Sequence, residues 1–286
     1  MKKQKNENVS YLSEVLDKLK EHKMAMAGLV VLIVEILMVV FLPMILKLDP
    51  YTSDYTAFSA APGGAHILGT DAIGRDVFAR LMYGGRTSLL VGFVSTLISC
   101  AIGVPLGLVA GYARGKAEAV IMRIADMMLA FPGLVLALAV AGIMGASIRN
   151  AIIAIVAVNW TKYARLARSL VMKIRDRDYV AAAVVTGSKT PYMLLRYMLP
   201  NALPTLIITA ATDVGGMMLE IAALSFLGFG AKPPTPEWGY MLNEGRACMQ
   251  SAPWMMLYPG LAIFLVVVVF NMLGDSIRDI LDPRDE

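Results

Sequence analysis

The residues of this 286-residue chain that could do chemistry are ionisable side chains set inside long apolar stretches. Glu35 lies in the middle of one, Asp126 at the edge of another, Asp213 and Glu220 within a third, and Asp275 at the end of a fourth. A charge at bilayer depth costs about 2.5–3.5 kcal/mol on insertion scales, so such groups face a bundle interior or water. Asp213 and Glu220 stand seven residues apart, nearly on one helical face. With Ser225 they could line a path for polar cargo; the competing reading pairs them with Arg or backbone groups for packing alone. Gly215, Gly216 and the run Leu224–Gly230 (LSFLGFG) suit close helix packing or a flexible gate, and packing is the commoner outcome.

Catalytic chemistry has little to stand on. His22 and His66 are the only histidines, so H-E-x-x-H is impossible, and a lone loop histidine such as His66 reads as structural. Cys100 and Cys248 lie far apart in or beside apolar stretches, with neither a disulfide framework nor metal spacing. Gly115-Lys116 is followed by Ala and has no Gly five residues earlier, so there is no phosphate loop, and no G-x-S-x-G elbow occurs. The expectation is a chain that is not an enzyme and holds no cofactor or metal of its own.

The elements that must position these residues are membrane spans. Apolar residues make up 57% of the chain, charged residues 17%, and mean hydropathy is +0.63, values foreign to soluble domains. The expected fold is an all-α integral membrane protein of six transmembrane helices. Met24–Leu46 is the first, too long for a signal-peptide core. Spans follow at about 88–112, 127–146, 150–170, 203–226 and 254–273, the fourth running on as a helix beyond the bilayer.

Residues 1–23 repeat Leu12, Val15, Leu16 and Leu19 at helical spacing, which predicts an amphipathic helix on the membrane face. One membrane domain results: that helix, a first span at 24–46, an outer loop at 47–87, a five-helix core at 88–275 and a tail at 276–286. Lys and Arg test the topology. One side holds six in residues 1–23, three between spans two and three, eight from Lys162 to Arg196 and two at the C-terminus; the other holds four, one and two. The positive-inside rule puts both termini in the cytosol. The net charge of +4 therefore reports membrane topology rather than a nucleic-acid partner.

Between spans four and five lies DYVAAAVVTGSKTPYMLLRYMLP, from Asp178 to Pro200, too polar and broken to cross a bilayer. Asp178 is expected to cap a short helix, Tyr179–Thr186, with Gly187 at the C′ position. Thr190 would cap a second, with Pro191 in its first turn, ending near Leu199 because of Pro200 and Pro204. The small side chains Ala181, Ala182 and Ala183 would let another protein approach closely, which makes the stretch a cytosolic docking knuckle. In the outer loops Asp71 and Gly74 suit a turn, Asp76 starts a helix, and Glu237 opens a half-helix after a proline run.

The knuckle resembles the EAA loop of ABC importer permeases, E-A-A-x3-G-x9-I-x-L-P, with Ala182, Ala183, Gly187, Leu199 and Pro200 in register. LGTDAIGRDVFARLMYGGRTSL (Leu68–Leu89), EIAALSFLGFGAKPPTPEWGYMLNEGR (Glu220–Arg246) and LGDSIRDILDPR (Leu273–Arg284) resemble the C-type permease subunit of dipeptide, oligopeptide and nickel importers. The resemblance implies a type I importer-like permease in the bacterial cytoplasmic membrane. It also implies a second homologous permease, two ATPase subunits that bind ATP and Mg, and an extracytoplasmic peptide-binding protein. Asp178, Ala181, Ala182, Ala183, Gly187, Leu199 and Pro200 would couple to an ATPase. Asp71, Arg75, Asp76, Trp238 and Arg246 would form the outer surface where the binding protein docks. The family's leading Glu is Ala181 here and its Ile is Tyr197, so a carboxylate contact is lost or moves to Asp178. The expected cargo is short peptide, with nickel or a nickel chelate as the alternative in the same machine. A self-sufficient proton-coupled carrier is the remaining alternative.

Overall fold

A computed structural model describes residues 23–281, and within them every regular element is helical. The amphipathic helix expected over 1–23 and the last residues of the tail lie outside the described residues. Helix α1, Lys23–Ile45, is apolar on all sides but for Glu35 and leaves Val30, Ile33, Val34 and Leu37 on its outer face. It contains Pro43, whose missing N–H leaves the Val39 carbonyl without its helical donor. Arg86 fills the gap: its Nε donates to Val39 O at 2.5 Å, and the guanidinium also reaches Val40 O.

Helix α2, Val77–Ala113, is 37 residues and roughly 55 Å long, so the second span is the far part of a helix that begins well before Ser88. Asp76 caps it by accepting from Ala79 N at 2.8 Å. α2 is the central post. One edge packs on α5, Ile148–Arg175, through Gly103, Gly107 and Gly111 at four-residue steps. A Cβ on Gly107 would sit 2.3 Å from the Ala164 carbonyl oxygen, so only glycine permits this approach. In lipid, where apolar burial gives no preference for protein over solvent, such close backbone packing holds helices together.

The third span is broken. Helices α3, Gly115–Leu129, and α4, Gly133–Met144, meet at 90° across Ala130–Pro132. Helix α6, Asp178–Val185, follows α5, and helix α7 then runs unbroken from Thr190 to Phe226. This corrects the expected stop near Leu199. Leu194–Met198 form a π turn in which Leu199 N–H reaches Leu194 O. The widened turn moves aside the carbonyl that the Pro200 ring would strike, and Asn201 Nδ2 takes up Tyr197 O at 2.6 Å. Helices α8, Trp238–Gly245, and α9, Trp254–Leu281, complete the chain.

By length and composition α1, α2, α7 and α9 can cross a membrane, and the bent α3–α4 pair makes five. α5 is the fourth of the six expected spans and is long enough, but its second half carries Lys162, Arg165 and Arg168. The two largest apolar clusters among the described residues form the core of the bundle. One joins α2, α4, α5 and α7 around Ile155, Tyr163 and Leu224; the other joins α1, α2, α7, α8 and α9 around Trp238, Met218 and Val266.

Candidate functional site

The knuckle is built as an anchored tab. Val180 and Ala183 point inward and are buried with Leu108 of α2, Val171 of α5 and Met193 and Met198 of α7. Tyr179, Ala181, Ala182, Val184 and Val185 face outward, Val185 at 87% exposure. The caps shift by one residue from expectation. Arg177 is the N-cap, which places Asp178 in the first turn, where its charge suits the helix dipole. Lys189, not Thr190, precedes α7, and neither cap residue uses its side chain, because Arg and Lys carry no acceptor to offer the free N–H groups. At the other end of α6 Gly187 has φ +85°, its N–H donates to Val184 O at 2.9 Å, and Ser188 N–H donates to Ala183 O at 3.1 Å. Those two bonds are a complete Schellman closure. Tyr197 stands between Tyr179 and Tyr192, ring centroids 6.3 and 6.0 Å away, and ties α6 to the stem of α7. Leu199 is half-buried on that stem and Pro200 is exposed.

A second polar feature lies between α5 and α7. Asp213 accepts from Lys162 Nζ at 2.5 Å and from Tyr163 Oη at 2.8 Å, and Glu220 accepts from Asn159 Nδ2 at 2.8 Å. Tyr163 is fully buried, whereas the Lys162 side chain is 52% exposed. Asp213 and Glu220 therefore share one seam. Ser225 is not in it: it is fully buried beneath Gly230, where any Cβ would meet its hydroxyl. Asp126 pairs with Arg165 at the α3–α5 surface.

At the end opposite the knuckle, Asp71, Arg75, Arg80 and Glu244 form a closed ring of alternating charge. Arg75 Nε meets Asp71 at 2.6 Å and its Nη2 meets Glu244 at 2.7 Å. Arg80 Nη2 meets the other Glu244 oxygen at 2.6 Å, and its Nη1 closes the ring on Asp71. Burial raises the cost of the Asp71 charge, but the Arg75 N–H and the two guanidinium groups outweigh it and hold the carboxyl below the usual carboxylate range. Glu237, also buried, caps α8 through Gly239 and Tyr240 N–H and accepts from Ser88 Oγ at 3.0 Å. Trp238 is 1% exposed, with Nε1 donating to Leu81 O at 2.8 Å.

So Asp71, Arg75 and Trp238, expected on the outer surface, lie beneath it: Arg75 reaches Glu244 and Trp238 reaches Leu81 far along the chain, and Asp71 is enclosed by Arg75 and Arg80. Asp76 and Arg246 remain accessible. His66 has partners that its sequence gave no sign of: its Nδ1 is 2.8 Å from Asp76 and its Nε2 3.7 Å from Asp54.

The family profile described as binding-protein-dependent transport system inner membrane component matches residues 103–285, which hold the knuckle and the seam. The chain belongs to this family. It is an inner-membrane permease subunit that works with partner permease and ATPase subunits, and is not itself an enzyme. A second profile, the N-terminal TM domain of oligopeptide transport permease C, matches residues 10–62. The permease is 42% identical to the dipeptide transport system permease protein DppC of Alkalihalophilus pseudofirmus, over 96% of this chain and 91% of the relative. It is also 42% identical to DppC of Haemophilus influenzae, over 93% and 92%. The glutathione transport system permease protein GsiD of Pectobacterium atrosepticum is 41% identical over 93% and 88%. A chain of the MetNI methionine ABC transporter, solved in inward facing conformations, superposes with a TM-score of 0.59 at 18% identity. That match covers 71% of this chain and 97% of that one, and shows a shared fold.

Sequence reasoning passed over Lys162, Tyr163, Arg80 and Glu244. Lys162, Arg165 and Arg168 stand at visible three-residue steps, but basic residues at the end of a span signal topology before anything else. Arg80 and Glu244 are 164 residues apart, and no local pattern joins them.

Proposed function

We propose that this chain is one of two homologous permeases in an ATP-driven importer of di- and oligopeptides in the bacterial cytoplasmic membrane. Six spans, counting α5, put both termini and the knuckle in the cytosol. Two ATPases bind ATP and Mg, and an extracytoplasmic protein delivers the peptide. The observation that carries this reading is the knuckle: α6 is fastened to α2, α5 and α7 by Val180 and Ala183 yet offers Tyr179, Val184 and Val185 to a partner. An apolar face on a cytosolic tab, in a chain without a phosphate loop, suits a groove on an ATPase that owns one. Peptide cargo is favoured by relatives named for dipeptides, at 42% identity over nearly the whole chain. None of these names favours nickel, and family membership sets the self-sufficient carrier aside.

The mechanism is a population shift of a two-state bundle. The ATPases close on ATP and push α6; the Gly187 closure and the tyrosine contacts pass the push to the stem of α7. The spans then rock, the path opens outward to the loaded binding protein, and return of the dimer releases peptide inside. Asp213 and Glu220 line that path; Asp76 and Arg246 are the residues left at the outer surface to meet the binding protein. The test is reconstitution of the tagged chain with the subunits that co-purify with it. Labelled dipeptide should enter the vesicles only with ATP and the binding protein, and excess nickel should not compete. Val185→Asp should strip the ATPase from the complex and abolish uptake. A chain that purifies alone, or an importer that carries nickel and no peptide, would overturn the reading.

A further inference from the structure

Past Lys162 the charged residues of α5 wind round the helix from its α7 side to its α3 side, each three-residue step turning back by about 60°. Arg165 and Arg168 follow at three-residue steps, and each cation meets a carboxylate from another helix. Lys162 meets Asp213 of α7, while Arg165 meets Asp126 and Arg168 meets Glu118, both of α3. Asn159, one step earlier, holds Glu220. These rungs descend toward the knuckle end over roughly 14 Å. The two lower pairs border a polar cleft of about 690 Å³ between α3 and α5.

These are poor packing pairs. The Lys162, Arg165 and Asp126 side chains are each about half exposed, unlike the closed ring at the opposite end, where both arginines are buried. In the proposed topology these half-exposed charges stand on the cytosolic half of α5, beside the segment between spans two and three, so water or protein rather than lipid covers them. Solvated ion pairs are weak and exchange readily with other charges. The row offers cations and carboxylates in near-equal number, which suits a cargo carrying one of each. An extended dipeptide separates its terminal charges by roughly 7 Å. Successive rungs rise by roughly 4.5 Å, so both termini can be engaged together.

We propose that this ladder is the substrate-conducting face, and that it takes a free peptide as a zwitterion. The peptide carboxylate displaces Asp213 from Lys162 and passes to Arg165 and Arg168, while the ammonium is received by Glu220, Asp213, Asp126 and Glu118. No covalent step is involved. The proposal rests on the reading of the chain as a peptide permease and adds to it the binding groups inside the path.

The whole complex in vesicles, at saturating loaded binding protein, separates the two ideas. Parental uptake of labelled Ala-Ala tests the peptide reading: if there is none, that reading fails and this one falls with it. Given parental uptake, Lys162→Gln should lower the maximal rate for Ala-Ala about tenfold, the worth of one charge-assisted hydrogen bond, and lower that for Ala-Ala amide far less. The double variant K162Q/D213N, which leaves no lone charge, guards against misfolding and should show the same narrowed preference. Equal losses for both peptides, or no loss, would overturn the ladder. Ser169→Cys, exposed and seven residues on from Lys162 on the same side of α5, in a chain also carrying Cys100→Ala and Cys248→Ala, gives an independent reading. It should react with a charged, membrane-impermeant thiol reagent, while Phe264→Cys on the apolar outside of α9 should not. A Ser169→Cys variant as inert as Phe264→Cys would place the face against lipid or packed protein and overturn the proposal.

Discussion

Gly187 shows how much of the coupling design rests on single backbone conformations. Its φ of +85° is one that a β-branched residue resists, yet nothing lies within 4 Å of where a Cβ would stand. Gly187→Val therefore strains the chain without a clash, at about 1–3 kcal/mol locally. The expected outcome is a complex that assembles normally but transports slowly, read as a lower ratio of peptide moved to ATP hydrolysed. His66 makes a pH prediction. Its hydrogen bond to Asp76 outweighs burial and raises its pKa above the usual value, so the folded loop holds the proton more tightly than the unfolded chain. That contribution is whole below about pH 6.5 and is lost as pH rises through the raised folded value. Protection factors of residues 53–76, which divide out the base-catalysed rise of intrinsic amide exchange, should be lower at about pH 8.5 than at about pH 5.5, and Asp76→Asn should shrink that difference.

Among the elements, the α2–α5 seam and the closed ring are the places where one change should be felt throughout the bundle. Gly107→Leu would push a branched side chain into the Ala164 backbone and cost about 1–3 kcal/mol or more. Its check is a lowered unfolding temperature in detergent, with Gly115→Leu distinguishing crowding from backbone strain, since Gly115 has positive φ but open space. Glu244→Gln would leave Arg75 and Arg80 sharing Asp71 alone. Losing one partner of a buried ionic group costs about 3–5 kcal/mol, visible as proteolysis of the loop before α2. The ring also explains an error of expectation. Asp71 and Arg75 read as surface residues because charge near a turn is normally solvated, and nothing local to them announces Glu244.

For the molecule as a whole, what was legible was whatever depends on short-range chemistry. Asp76 and Glu237 start helices because a carboxylate takes up free N–H groups three residues on, and Gly187 ends one because few other residues adopt that φ. The apolar runs also marked α1, α2, α7 and α9, since bilayer thickness sets their length. Illegible was whatever depends on a compensating partner. Pro200 should break a helix, and does not, because a π turn precedes it. Met127–Ala146 reads as one straight span and is a right-angled pair. Asp213 and Glu220 were visible as costly charges, but that Lys162 and Asn159 answer them required the fold of α5 against α7.

The closed ring also sets an order on synthesis. Asp71, Arg75 and Arg80 are made early, and Glu244 only after another 164 residues have left the ribosome. Until then two guanidinium groups have one carboxylate between them, and the segment before α2 has no reason to settle. A nascent chain held just short of Glu244 should therefore keep residues 47–76 open to protease, although α2 is already inserted. A chain held far enough on for Glu244 and Trp254 to have cleared the ribosome should protect them. Ring closure would then mark the moment at which the newborn protein becomes a finished one, late in translation and independent of any partner subunit.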